Sequence, residues 1–241
     1  MADYINSNIL SQSYVHVEPE WLASISGKVK QKEIEKIKEI ITTHAKERMK
    51  FFLYDNVDIE VIFEDGSIKA KITAYGNIGV FLLALGHGIT NYPEYSDGIR
   101  AIVTDVAKIS ELVNSEILFQ TKSKHKHEII RIEARKGVVG SLHNINKKIN
   151  SINDKTKNHK DNSPSLIYQM ILDLHGDILS LMDKINDKND KELIRISLID
   201  GVKNINLKVG AFDLSDPAAK PIHSELLKER AKLIKNLRDY K

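Results

Sequence analysis

Apolar residues recur with a helical period along several long stretches of this chain, and between them lie short runs that alternate. From about Lys28 to Leu53 the positions Ile34, Ile37, Ile40, Ile41, Ala45, Met49 and Phe52 line one side, with lysines and glutamates on the other. A second stripe runs from about Tyr95 to Gln120 through Ile99, Ile102, Val103, Val106, Ile109, Leu112, Val113 and Leu118. A third helix is expected over about Glu128 to Ile152, interrupted or kinked near Gly137 and Gly140. Ser163-Pro164 reads as the cap and first residue of a fourth. Within it Ile167, Ile171, Leu174, Ile178, Leu181 and Ile185 are spaced 4, 3, 4, 3, 4, a heptad seam of nearly three repeats. Such a seam suits a helical hairpin or a short oligomer contact. A last amphipathic helix covers about Ile222 to Tyr240.

Alternation with a period of two marks Val57 to Glu64 and Ser67 to Ala74, which flank Asp65-Gly66. Asp-Gly suits a two-residue hairpin turn, because both central residues need positive φ. The implied register sets Phe63 opposite Ile68, Val61 opposite Ala70 and Ile59 opposite Ile72. Residues 192–209 admit two readings. As a helix they present Ile194, Leu198, Val202 and Ile205; as a second hairpin about Asp200-Gly201 they pair Ile196 with Ile205 and Ile194 with Leu207. The expected class is α+β and predominantly helical, with one antiparallel hairpin at about 57–74. Residues 1–26 are read as a lead-in with a short helix around Pro19 to Ser24, residues 27–153 as an α+β core domain, and residues 163–241 as a mainly helical C-terminal part.

One stretch departs from all these patterns. Ile72 to Pro93 holds no Asp, Glu, Lys or Arg, and at its centre lies the run Ile78 to Gly86. Asn77 can cap a helix there, and Val80, Ala84 and Gly88 follow at intervals of four, a face small enough for another backbone to approach. Spanning a bilayer takes about 20 predominantly apolar residues. The glycines, Asn77, Asn91, His87 and Pro93 rule that out here. The segment is therefore buried by its own chain, covered by a partner, or released onto a lipid surface.

Charge sharpens the picture because it is unevenly placed. Residues 51–120 carry four basic and ten acidic side chains, residues 121–160 eleven basic and three acidic, and residues 161–241 thirteen of each. The basic block includes Lys122, Lys124, Lys126, Arg131, Arg135, Lys136, Lys147 and Lys148, candidate contacts to nucleic-acid phosphates. It lacks Phe, Tyr and Trp, so no stacking platform accompanies the charge. A solvated surface or an internal counter-charge for residues 51–120 is the plainer reading. The chain has no cysteine, which excludes disulfides, thiol catalysis and thiolate metal sites. His125-Lys126-His127-Glu128 lacks further ligands at zinc-site spacing, and the aspartates Asp173, Asp177, Asp183, Asp187 and Asp190 read as the wet side of the heptad helix. No phosphate-binding loop, dinucleotide fingerprint or nucleophile elbow is present.

These features favour a non-enzymatic, cytoplasmic protein–protein interaction or assembly module without cofactor or metal. Its interface candidates are Val80, Ala84 and Gly88 on the uncharged segment and Ile167, Ile171, Leu174, Ile178, Leu181 and Ile185 on the seam. The partner is another protein or a second copy of the chain. The alternatives are a nucleic-acid-associated protein using residues 122–160, and an effector or toxin whose segment 76–90 perturbs membranes.

Overall fold

A computed structural model describes residues 8–53, 58–64, 68–87, 91–157 and 162–240, with residues 52, 53 and 58–64 described by backbone alone. The elements in order are β1 (Asn8–Val17), α1 (Glu20–Ser24), α2 (Gly27–Leu53), β2 (Asp58–Glu64), β3 (Ile68–Gly76), α3 (Ile78–Ala84), α4 (Tyr92–Gln120), β4 (Ile129–Arg135), α5 (Gly137–Lys157), α6 (Pro164–Met182), α7 (Lys188–Lys203) and α8 (Ala219–Asp239). The protein is α+β and predominantly helical, as expected. It divides into two compact units. The first comprises Met1–Ala84 and Arg100–Gly140, the second Leu85–Ile99 and Ser141–Lys241.

The first unit is built on one antiparallel sheet of order β2-β3-β1-β4, packed against helices. On one face of β3 Ile68, Ala70, Ile72 and Ala74 are buried, and across from them on β1 so are Val15 and Val17. Burying each large aliphatic side chain contributes about 1.5–3 kcal/mol. α2 adds Ile37, Ile41, Ala45 and Met49 to the same unit, and α4 adds Ile102, Val106, Ile109, Val113 and Ile117. His44 Nδ1 on α2 lies 4.0 Å from Glu116 Oε2 on α4.

The expected hairpin forms, but its register differs. Phe63 stands opposite Ala70, Val61 opposite Ile72 and Ile59 opposite Ala74. A slide of two residues keeps every side chain on its face, so alternation cannot choose between the two registers. Glu64 stands opposite Lys69, and Asp65-Gly66, where the two-residue turn is expected, lies outside the described residues. Residues 8–17 are no lead-in. They form β1, which pairs with both β3 and β4.

The helix expected over Glu128 to Ile152 with an interruption near Gly137 and Gly140 is instead a strand up to Arg135, and the helix begins at Gly137. In β4 the residues Arg131, Ile132, Glu133 and Ala134 alternate across the strand, and β1 offers them a ladder. Gly137 then opens α5 with φ +52°, and a Cβ there would sit 2.1 Å from the Ile9 carbonyl oxygen. Only glycine fits this corner.

The second unit is helical. Residues 192–209 form no hairpin, since α7 occupies Lys188–Lys203 and buries Ile194, Leu198 and Val202 along one side. Its cap is Asp187, whose side chain accepts from the Asp190 N–H at 2.8 Å. Gly201 lies against the Tyr92 ring, where a Cβ would come within 2.5 Å, and Asp200 accepts the Tyr92 N–H at 3.1 Å. The Asp-Gly pair that resembles a turn therefore serves a close helix contact.

Candidate interaction surfaces

The uncharged segment folds as a short helix with two unequal sides. Ile78, Phe81 and Leu82 are buried in the first unit, and the Phe81 ring seats against Gly76 at the end of β3. A Cβ at Gly76 would meet that ring at 2.8 Å and the Leu10 side chain at 2.9 Å. The other side of α3 carries Val80, Leu83 and Ala84. Positions three and four apart share a helix face. Leu83 is 64% exposed, Val80 is 42% exposed and Ala84 is also open to solvent. Gly88, the third candidate on this face, lies outside the described residues.

The heptad side chains are placed differently. Ile167, Ile171, Leu174, Ile178, Leu181 and Ile185 are all buried inside the second unit. α8 packs on α6 and buries Leu226, Leu233 and Leu237. Of the two uses a seam can have, the chain makes the intramolecular one. Beside the seam His175 Nδ1 lies 2.5 Å from Glu229 Oε1, and its Nε2 lies 3.0 Å from Asn236 Nδ2, so the ring is held on both nitrogens. Several of the aspartates that punctuate α6 and the following turn also have structural partners: Gln169 for Asp173, Lys148 for Asp177 and Tyr240 for Asp183.

The basic block separates into parts. Lys122, Lys124 and Lys126 are exposed on the connector after α4, and Lys136 is exposed just before α5. Arg131 and Arg135 share a face of β4, and Glu133 between them holds both. Arg131 Nη2 donates to Glu133 Oε2 at 2.5 Å, and Arg135 Nε donates to Oε1 at 2.6 Å. The hydrogen bond from Arg135 is the main reason the Glu133 carboxyl sits below the usual carboxylate range. Arg131 also lies over the Tyr14 ring, 5.6 Å from its centroid. Lys147 and Lys148 belong to the second unit, where Lys147 is exposed and Lys148 bonds Asp177.

The histidine-rich connector is organised by Glu128. This side chain is 4% exposed and accepts three backbone N–H groups, from Glu20 at 3.1 Å and from Lys124 and His125 at 2.9 Å each. Those bonds, led by the one from His125, lower its pKa. Trp21 Nε1 donates to the Thr121 carbonyl at 2.6 Å and fastens α1 to the same connector. The His125 and His127 rings stack with centroids 5.5 Å apart, and His127 reaches Glu20 at 3.0 Å. Among the described residues no three His, Asp or Glu side chains are grouped to hold one metal ion.

Among the exposed apolar side chains that escape sequence reasoning are Ile130 and Ile132 on β4, which are 53% and 44% exposed. The signal that finds them is the alternation Ile130-Arg131-Ile132-Glu133-Ala134-Arg135, which the i, i+4 spacing of the arginines masks as a helix. No helix among the described residues is long and apolar enough to cross a membrane. No family model, curated protein or solved structure matches this chain.

Proposed function

We propose that the protein is a non-enzymatic interaction or assembly module of the cytoplasm, and that the open face of α3 anchors its contact. The observation that carries this reading is Leu83. It is 64% exposed at the centre of the longest charge-free stretch in the chain, with Val80 and Ala84 beside it. A specific protein interface buries about 1,200–2,000 Å² in total. A seven-residue helix supplies a small part of that, so α3 acts as an anchor within a wider contact. The seam on α6 is already filled by its own chain and contributes stability to the module rather than a docking face.

The nucleic-acid reading ranks second. Glu133 offsets Arg131 and Arg135, and Asp177 offsets Lys148, which leaves Lys122, Lys124, Lys126, Lys136 and Lys147 as scattered cations without an aromatic neighbour in the block.

The test compares the wild-type chain with Leu83→Asp. An exposed substitution of this kind leaves folding intact. Association, measured by light scattering for the chain alone and by co-purification for partners, is expected to weaken strongly in the variant. An unchanged association profile removes α3 as the anchor, and dye release from liposomes by wild type that Leu83→Asp abolishes overturns the reading as a whole.

A further inference from the structure

The strand β4 closes one edge of the sheet, since among the described residues it pairs with β1 alone. Its burial falls abruptly at that edge. Val15 on β1 is fully buried, whereas Ile132 directly opposite it on β4 is 44% exposed. Ala134, opposite the buried Ser13, is exposed as well. The cover over the apolar face thus stops one strand short. An open edge with uncovered apolar side chains is a template for a further strand.

The sequence of β4 says which strand fits. In an antiparallel pairing of β4 with a second β4, the residue facing each position is set by one register number. With Ile132 opposite itself, Arg131 faces Glu133, Glu133 faces Arg131, and Ile130 faces Ala134. From Ile130 to Ala134, apolar meets apolar on one side and opposite charges meet on the other. Sliding by one residue sets charged positions against apolar ones. Centring on Glu133 sets Glu133 against itself and Arg131 against Arg135. Centring on Arg131 sets Arg131 against itself. Like charges directly opposite destabilise a pair, and opposite charges favour it by about 0.2–1 kcal/mol. The register centred on Ile132 pairs the whole of β4 without like charges, with Arg135 opposite Ile129 as its one mismatch at the bulged end; centring on Ala134 also sets Glu133 against Arg135 but pairs only the last residues of the strand. Charge and a bulge at an edge commonly discourage pairing. Here the charges are complementary under the two-fold, and the register shift falls between His16 and Val17 on β1, at the Ile129–Ile130 end of β4, which leaves Arg131 to Arg135 regular.

We propose that a second copy of this chain docks edge to edge on β4, about a two-fold axis at Ile132, and joins two four-stranded sheets into one of eight. The inference rests on the reading of the protein as an assembly module and names its partner and contact strand. An isologous contact of this kind closes at two copies and leaves no free edge on that side.

Sedimentation velocity and light scattering on the full chain test it, with circular dichroism as the control for folding. Wild type is expected at twice the 27.3 kDa chain mass. Arg131→Glu and Glu133→Arg each set like charges together and are expected to weaken the dimer by at least tenfold. The double variant Arg131→Glu/Glu133→Arg restores opposite charges across the axis and is expected to recover it. Ile132→Lys brings two cations together at the axis and decides the matter if a charge variant misfolds. A monomeric wild type at the highest attainable concentration overturns the proposal. So does a dimer that survives Ile132→Lys, or a double variant no tighter than either single one. Leu83→Asp separates the two readings. A dimer lost in Leu83→Asp and kept in Arg131→Glu leaves the α3 anchor standing and removes the β4 contact, and the reverse result removes the anchor.

Discussion

The helices α3 and α6 are both strongly apolar, and the chain treats them in opposite ways. α6 is amphipathic. It buries Ile167, Ile171, Leu174, Ile178 and Leu181 on one side and turns Ser165, Gln169, Asp173 and Ser180 away from that seam. α3 has no polar side at all. Its seven residues are Ile, Gly, Val, Phe, Leu, Leu and Ala, and its own unit covers Ile78, Phe81 and Leu82 only. A polar outer face marks a helix whose apolar side is completed by its own chain. Its absence marks apolar surface in excess of what the fold uses. Periodicity alone points to α6 as the docking element, whereas exposure points to α3.

The largest expected effect tests the closed half of this contrast. Leu174→Ala in the seam is expected to cost about 2–5 kcal/mol, read as a lower midpoint in urea unfolding. A loss below about 1 kcal/mol breaks the view that the seam is packed from within. Next comes the seat under α3. Gly76→Ala forces a methyl group against the Phe81 ring and the Leu10 side chain, with an expected cost of about 1–3 kcal/mol in the same assay. Acid is expected to distinguish the unit that holds α3 from the one that holds α6. The Glu128 carboxyl has a lowered pKa in the folded state, so its stabilisation is complete above the ordinary glutamate value and fades as pH falls through the folded value. Hydrogen exchange at low pH is expected to lose protection first at the Glu20, Lys124 and His125 amides, while the α6 amides stay protected; Glu128→Gln removes that pH dependence. The smallest effect is the sharpest. Leu83→Ala is expected to change stability by less than about 0.5 kcal/mol, because the side chain is 64% exposed. A cost comparable to Leu174→Ala would erase the difference between the two helices.

Much of the helical framework is legible in the sequence because 3.6-residue periodicity runs long there. α2, α4, α6 and α8 lie close to where the stripes place them. The strands are harder. β1 hides its alternation because half of its buried positions are polar, Asn8, Ser11 and Ser13. β4 hides its own because positions four apart share a face in a strand as well as in a helix, so Arg131 and Arg135 satisfy both periods. For Asp200-Gly201 the turn chemistry is real, but Tyr92 approaches the glycine and the helix prevails. The candidate site is half legible. Loss of charge finds α3, yet nothing in the spacing of Val80, Ala84 and Gly88 tells which side of the helix its own unit covers. That depends on Gly76 and on Leu10, which lies far upstream in the chain and reaches the same seat only through the pairing of β1 with β3.

The tryptophan at position 21 is the only one in the chain, and its indole hydrogen is donated to the Thr121 carbonyl at 2.6 Å. Excited at the red edge, the protein therefore has a single emitter, placed in the unit that contains the sheet. Its colour and lifetime follow the docking of α1 on the connector after α4, so loosening of that corner of the sheet unit can be watched optically without attaching a label.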